Sequence, residues 1–289
     1  MPAHPYQILT RGCLVLALAL AAGQYLQSTA PQPLPVSSQL HLHPIKIETV
    51  TAQAEVVPKP PAKIQRDCVT SLDLAALENA MIAVTLVASC HPNERVVLKH
   101  AGLAITAKTT VTGAIFTDLP ALTPQATVEV LFKDGSRLHS SLELPEAVNL
   151  RRFAVQWGGE DEFQLHGLEH NADFDAAGDI SHTNPNTPAA GAAAKAGFLV
   201  DLGDSSTDFP LLAQVYTYPP DPASQSAIVV EAAVTKTSCG REMLGETLFS
   251  LQGQVVKADL TVAMPSCDAI GDYLLLNDLV PEMKIASSE

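Results

Sequence analysis

The chain has 289 residues, 47% of them hydrophobic and 17% charged, with a formal net charge of −14. That balance excludes a wholly disordered chain, and the length accommodates two ordinary domains. Residues 147–289 hold twenty Asp and Glu against seven Lys and Arg, so nearly all of the net charge lies in the second half. Such a surface repels phosphate backbones, and Arg151-Arg152 alone is no basic patch, which argues against a nucleic-acid partner.

At the N-terminus Arg11 precedes the apolar run Cys13–Ala22, the layout of an export segment. Residues 1–30 read as a signal peptide or a signal anchor. Ala19-Leu20-Ala21 and Ser28-Thr29-Ala30 both fit a small-x-small cleavage rule, but the first shortens the apolar region and Pro31 spoils the second. Uncleaved, the segment tethers the chain to the inner membrane facing the periplasm; cleaved, it leaves a periplasmic protein. Pro31, Pro33, Pro35, Pro44, Pro58, Pro60 and Pro61 make residues 31–66 an extended, disordered linker that carries the solvated pair His41 and His43.

Past the linker stand Cys68, Cys90, Cys239 and Cys267. An even number in an exported chain implies disulfides, and of the three pairings the local one, 68–90 and 239–267, closes the shortest loops. Structural zinc would require a CxxC or CxH spacing, which is missing.

Residues 67–146 read as a β-sandwich, immunoglobulin-like or transthyretin-like. Ile82, Val84, Leu86 and Ala88 alternate, Arg95–His100, Leu103–Ala107 and Gly113–Leu119 supply short strands, and Val128–Phe132 runs into Lys133-Asp-Gly-Ser136, a hairpin signal. Residues 150–289 form a second β-rich domain. Its strand candidates are Arg152–Trp157, Glu162–His166, Gly197–Leu202, Leu211–Thr217, Ala227–Thr235, Thr247–Leu251, Ala258–Met264 and Tyr273–Leu276, with a flexible low-complexity loop over 182–197. The fold class is therefore all-β, two consecutive sandwich-like domains after an apolar segment and a linker.

Three local patterns suggest chemistry. His166-Gly-Leu-Glu169-His170 matches the inverted zinc-peptidase pattern, but that motif needs a helix to bring both imidazoles to one metal, whereas here it ends an alternating strand. Asp173-Phe-Asp175 is an acidic turn that lacks the ligand spacing of a calcium loop. Phe198–Thr207, with Gly203-Asp204-Ser205, resembles the first block of the GDS-type esterases, but their catalytic His follows the nucleophile, while the last histidine here, His182, precedes Ser205. Tyr216 and Tyr218 form either a small aromatic patch or a buried face. No nucleotide or dinucleotide glycine loop appears, so no cofactor is expected.

On Leu165-His-Gly-Leu-Glu-His170, Leu202-Gly-Asp204, Leu211–Pro219, Ser238-Cys-Gly-Arg241 and Met264–Tyr273 the chain resembles a group of alphaproteobacterial exported proteins of undefined function, often labelled "translocase". The resemblance spans most of 67–286 and implies an envelope setting rather than a chemistry. The function expected is a non-enzymatic envelope protein that binds or supports another envelope protein or polymer. The alternative is a periplasmic hydrolase using Ser205, or the group His166, Glu169 and His170.

Overall fold

The computed structural model describes residues 68–221 and 224–281, and the readings made of residues 1–30 and 31–66 lie outside them. The first half contains β1 (Thr70–Leu77), β2 (Met81–Ala88), β3 (Arg95–His100), β4 (Leu103–Lys108), β5 (Ala114–Pro120), β6 (Gln125–Leu131) and β7 (Arg137–Glu143). They form two antiparallel sheets in the orders β1-β2-β5 and β4-β3-β6-β7, an immunoglobulin-like sandwich. The Asp-Gly hairpin joins β6 to β7: Gly135 takes φ 86°, and Asp134 Oδ1 accepts from the Ser136 N–H at 2.8 Å.

β1 has no counterpart in the sequence reading, because its Ala-Ala-Leu end and exposed residues carry little periodicity. Eight consecutive pairings with β2 define it, and the disulfide Cys68–Cys90 ties its start to the end of β2.

The second half contains β8 (Arg152–Gly158), β9 (Phe163–Glu169), β10 (Asp179–Ile180), α1 (Pro188–Ala194), β11 (Phe198–Leu202), β12 (Leu211–Thr217), β13 (Ser226–Ala233), β14 (Glu242–Leu251), β15 (Gln254–Ala263) and β16 (Tyr273–Leu276). Its sheets run β11-β12-β8-β14-β15 and β10-β9-β13-β16, all antiparallel. The low-complexity stretch is not wholly loop. Thr187 caps α1 by accepting from the Ala190 N–H at 3.1 Å, Pro188 starts it, and Lys195 ends it at φ 54°.

β8 explains how the halves join. Phe153, Val155 and Trp157 enter the core of the second sandwich, while Ala154 on the other face packs with the first-sandwich core. Leu202, Ala213, Val215 and Leu248 join Ala154 there, so the five-stranded sheet is covered on both faces. Arg152 and Gln156, which look like solvent residues of an alternating strand, are instead buried against the first sandwich. Gln156 Nε2 donates to the Gly102 carbonyl, its Oε1 accepts from the Ala104 N–H, and Ser250 Oγ donates to the Leu122 carbonyl.

The second disulfide, Cys239–Cys267, links the β13–β14 connection to the one before β16. The Cα–Cα separations of 5.4 and 5.0 Å suit both bridges. Two such bridges fit an oxidising, extracytoplasmic compartment. No helix among the described residues is long and apolar enough to cross a membrane.

Candidate functional site

The motif His166–His170 does not assemble a metal centre. His166 and Glu169 project from opposite faces of β9, and His170 has left the strand at φ 55°. Among the described residues no three His, Cys, Asp or Glu side chains converge on a metal position. His166 and Glu169 each have their own partners. His166 Nδ1 pairs with Asp179 Oδ1 at 2.9 Å, its ring meets Phe174 edge-on, and its Nε2 lies 4.0 Å from Glu231. Glu169 Oε1 accepts from the Tyr216 hydroxyl at 2.8 Å and from the Gly197 N–H at 2.7 Å. That carboxylate holds the end of the α1 connection against the core. Burial pushes the Tyr216 phenol well above its ordinary pKa, which keeps it a donor. Tyr216 and Tyr218 are both buried, so they form no surface patch.

A cleft of about 1130 Å³ opens instead at one edge of the second sandwich. Nearby, β10 pairs only with Leu168 and Gly167, and beyond it the side chain of Gln214 rather than a strand meets the β9 edge. The β8–β9 connection between the two sheets, with Trp157 and Glu160 to Gln164, forms one wall. Asp201, Leu212 and Gln214 on β11 and β12 form the other, with His182 and Ser205 at its margin.

Three polar side chains here are held in sequence. Gln214 Oε1 accepts from the Leu165 N–H at 2.6 Å, Gln214 Nε2 donates to Asp201 Oδ1 at 2.7 Å, and His182 Nδ1 pairs with Asp201 Oδ2 at 2.9 Å. The buried glutamine thus orients the carboxylate, which orients the imidazole. Across the cleft Arg241 Nη2 pairs with Asp161, whose Oδ2 also accepts from the Leu244 N–H at 2.9 Å.

Ser205 shares this cleft with His182 and Asp201, a proximity that the order of residues along the chain conceals. No hydrogen bond joins Ser205 to His182, and no helix follows the Gly203-Asp204-Ser205 turn. The loop is fastened to the first sandwich: the Asp204 N–H donates to the Thr106 carbonyl at 2.9 Å, Thr207 Oγ1 donates to Thr106 Oγ1 at 3.0 Å, and Arg95 Nη2 donates to the Phe209 carbonyl at 2.8 Å. Phe209 itself stands 84% exposed at φ 48°, a conformation that costs a bulky side chain free energy. The available signal for it was an isolated aromatic in a polar loop, just before Pro210.

No protein-family model matches the chain, and no curated protein matches it.

Proposed function

We propose that the protein is a non-enzymatic binding module of the cell envelope and that its partner docks in the cleft of the second sandwich. The observation that carries this reading is the chain from the Leu165 N–H through Gln214 and Asp201 to His182, a polar constellation supported from the buried side and open towards the cleft. The two disulfides and the resemblance to exported alphaproteobacterial proteins both favour the periplasm. The apolar segment after Arg11 then serves as a tether to the inner membrane or as a cleaved export signal.

The test compares the full-length chain with Thr237→Trp, which fills the cleft from an exposed position. In mild-detergent extracts of the native envelope the wild-type chain retains a component that the variant loses. Equal retention by both would exclude the cleft as the binding site.

A second reading, a hydrolase, is favoured by one observation, that Ser205 lines the same cleft as the His182–Asp201 pair. There Ser205 would be the nucleophile and His182 its base. Labelling by a fluorophosphonate that disappears in Ser205→Ala and in His182→Ala would establish it. An unlabelled wild-type protein rejects it.

A further inference from the structure

The two edges of the five-stranded sheet differ. At one, the Leu199 N–H of β11 donates to the Pro185 carbonyl at 2.7 Å, so a loop takes up part of that edge. At the other, β15 runs for ten residues without a proline, and among the described residues β14 is its only paired strand.

The turn between β14 and β15 fixes which backbone groups face outward. Gln252 and Gly253, at φ 52° and 76°, join Leu251 to Gln254 as a two-residue loop, so Gln254, Val256, Ala258, Leu260 and Val262 direct their N–H and C=O at β14. Those of Val255, Lys257, Asp259, Thr261 and Ala263 point away from it. The Met264 N–H keeps the same phase, donating to the Arg241 carbonyl at 3.0 Å. Val256, Lys257, Ala258 and Asp259 are exposed in succession, which leaves both faces of the strand and the edge between them open. An open edge of this length is a template for a further strand.

The charges along it are incomplete within one chain. Asp259 stands directly opposite Glu246 on β14, like charge against like, and among the described residues it has no hydrogen bond or ion pair. Lys257, two residues along on the same face, holds Glu246 at 2.6 Å. When β15 pairs antiparallel with itself, hydrogen bonds form only where outward-facing residues meet. A two-fold axis at Lys257 opposes two lysines, and one at Asp259 opposes two aspartates. A two-fold at Ala258 opposes Lys257 to Asp259 twice, sets Val256 against Leu260, and forms about eight main-chain hydrogen bonds.

We infer that β15 pairs antiparallel with β15 of a second copy about a two-fold at Ala258, joining two five-stranded sheets into one of ten strands. The occupant is the chain itself because the edge complements its own charges in that register. The pairing stands apart from the reading of the cleft, and it gives the dimer two clefts, enough for avidity towards a repeating partner.

The test uses the full-length protein in mild detergent, where sedimentation velocity should give a dimer. Asp259→Lys and Lys257→Asp each oppose like charges, and either variant alone should weaken dimerisation about tenfold or more. Mixed one to one, the two variants have opposite charges at both paired positions, and the dimer should return, which unfolded variants could not produce. Ala258→Cys lies opposite itself at the two-fold, in a pair with Cα atoms about 4.5 Å apart, and should form a disulfide-linked dimer under mild oxidation. Thr261→Cys should not. Cys13 is present throughout, so the unsubstituted chain sets the background.

A chain that stays monomeric overturns the inference, including the case in which a strand from another protein covers β15. A dimer that persists unchanged in Asp259→Lys is held elsewhere and overturns it as well. So does cross-linking as ready at Thr261→Cys as at Ala258→Cys.

Discussion

Arg152 Nη1, on the first strand of the second sandwich, donates to the carbonyl of Ala80 in the first sandwich at 3.2 Å. The same guanidinium reaches the carbonyls of Ala121 and Asn79, and its Nε donates to Thr217 Oγ1 at 3.0 Å. Asn79 and Ala80 form a turn with φ of 58° and 49°, and the Ala80 carbonyl also accepts from the Ala121 N–H at 2.9 Å. Burial lowers the arginine pKa to about 9, so the group still carries its charge at neutral pH. A charge-assisted fork onto backbone carbonyls thus fastens one sandwich to the other.

Removing that fork should be costly. Arg152→Met relieves the desolvation of a charge but orphans several buried acceptors, at about 1–3 kcal/mol each, for a net loss of about 3 kcal/mol in urea denaturation. Arg152→Lys recovers little of it, because one ammonium cannot span the positions that the planar fork reaches.

His100 carries a pH dependence. It is buried, its Nδ1 pairs with the Thr127 carbonyl at 3.1 Å and its Nε2 accepts from the Leu122 N–H at 2.9 Å, an arrangement that requires the neutral ring. Burial, with a smaller contribution from nearby Arg152, lowers its pKa below 6.5. The unfolded chain therefore binds the proton first. The stabilisation is present above pH 6.5 and is lost as pH falls towards the folded-state value. Denaturation at pH 7.5 and 5.5 should show a larger fall for wild type than for His100→Leu, which itself costs about 1–3 kcal/mol at pH 7.5.

Gly167 tests how the two sheets of the second sandwich meet. A Cβ there would lie 2.3 Å from Tyr216 Cε2, a contact that the buried ring cannot relieve by rotating away. Gly167→Ala should cost about 3 kcal/mol, and most of that should disappear in a Tyr216→Leu background. Additive losses in the double variant would place the strain elsewhere.

The bridge Cys239–Cys267 closes a separation of 28 residues. Its removal by a double Ser substitution should cost about 3 kcal/mol, and non-reduced digests of the wild type should yield peptides linked 68–90 and 239–267. Cross-linked peptides of any other pairing would contradict the fold.

Much of the β architecture was legible because its signals are local. Arg95–His100, Leu211–Thr217 and Tyr273–Leu276 match strands residue for residue, and the Asp134-Gly135 turn sits where an alternating run must reverse. Backbone geometry and a period of two need only a few neighbouring residues to show themselves. The site was less legible. His182, Asp201 and Gln214 come from a loop and two strands, and nothing in their spacing announces a hydrogen-bonded chain.

Sequence alone determined the all-β class, the local cysteine pairing and the placement of acidity in the second half, each a matter of composition or short-range pattern. Tertiary structure alone decided three things. It put the polar face of β8 against the first sandwich rather than water, because what covers a strand depends on distant residues that pack on it. It separated His166 from Glu169 across the pleat of β9. It also ended β10 after two residues, where the side chain of Gln214 rather than a further strand takes the Leu165 N–H.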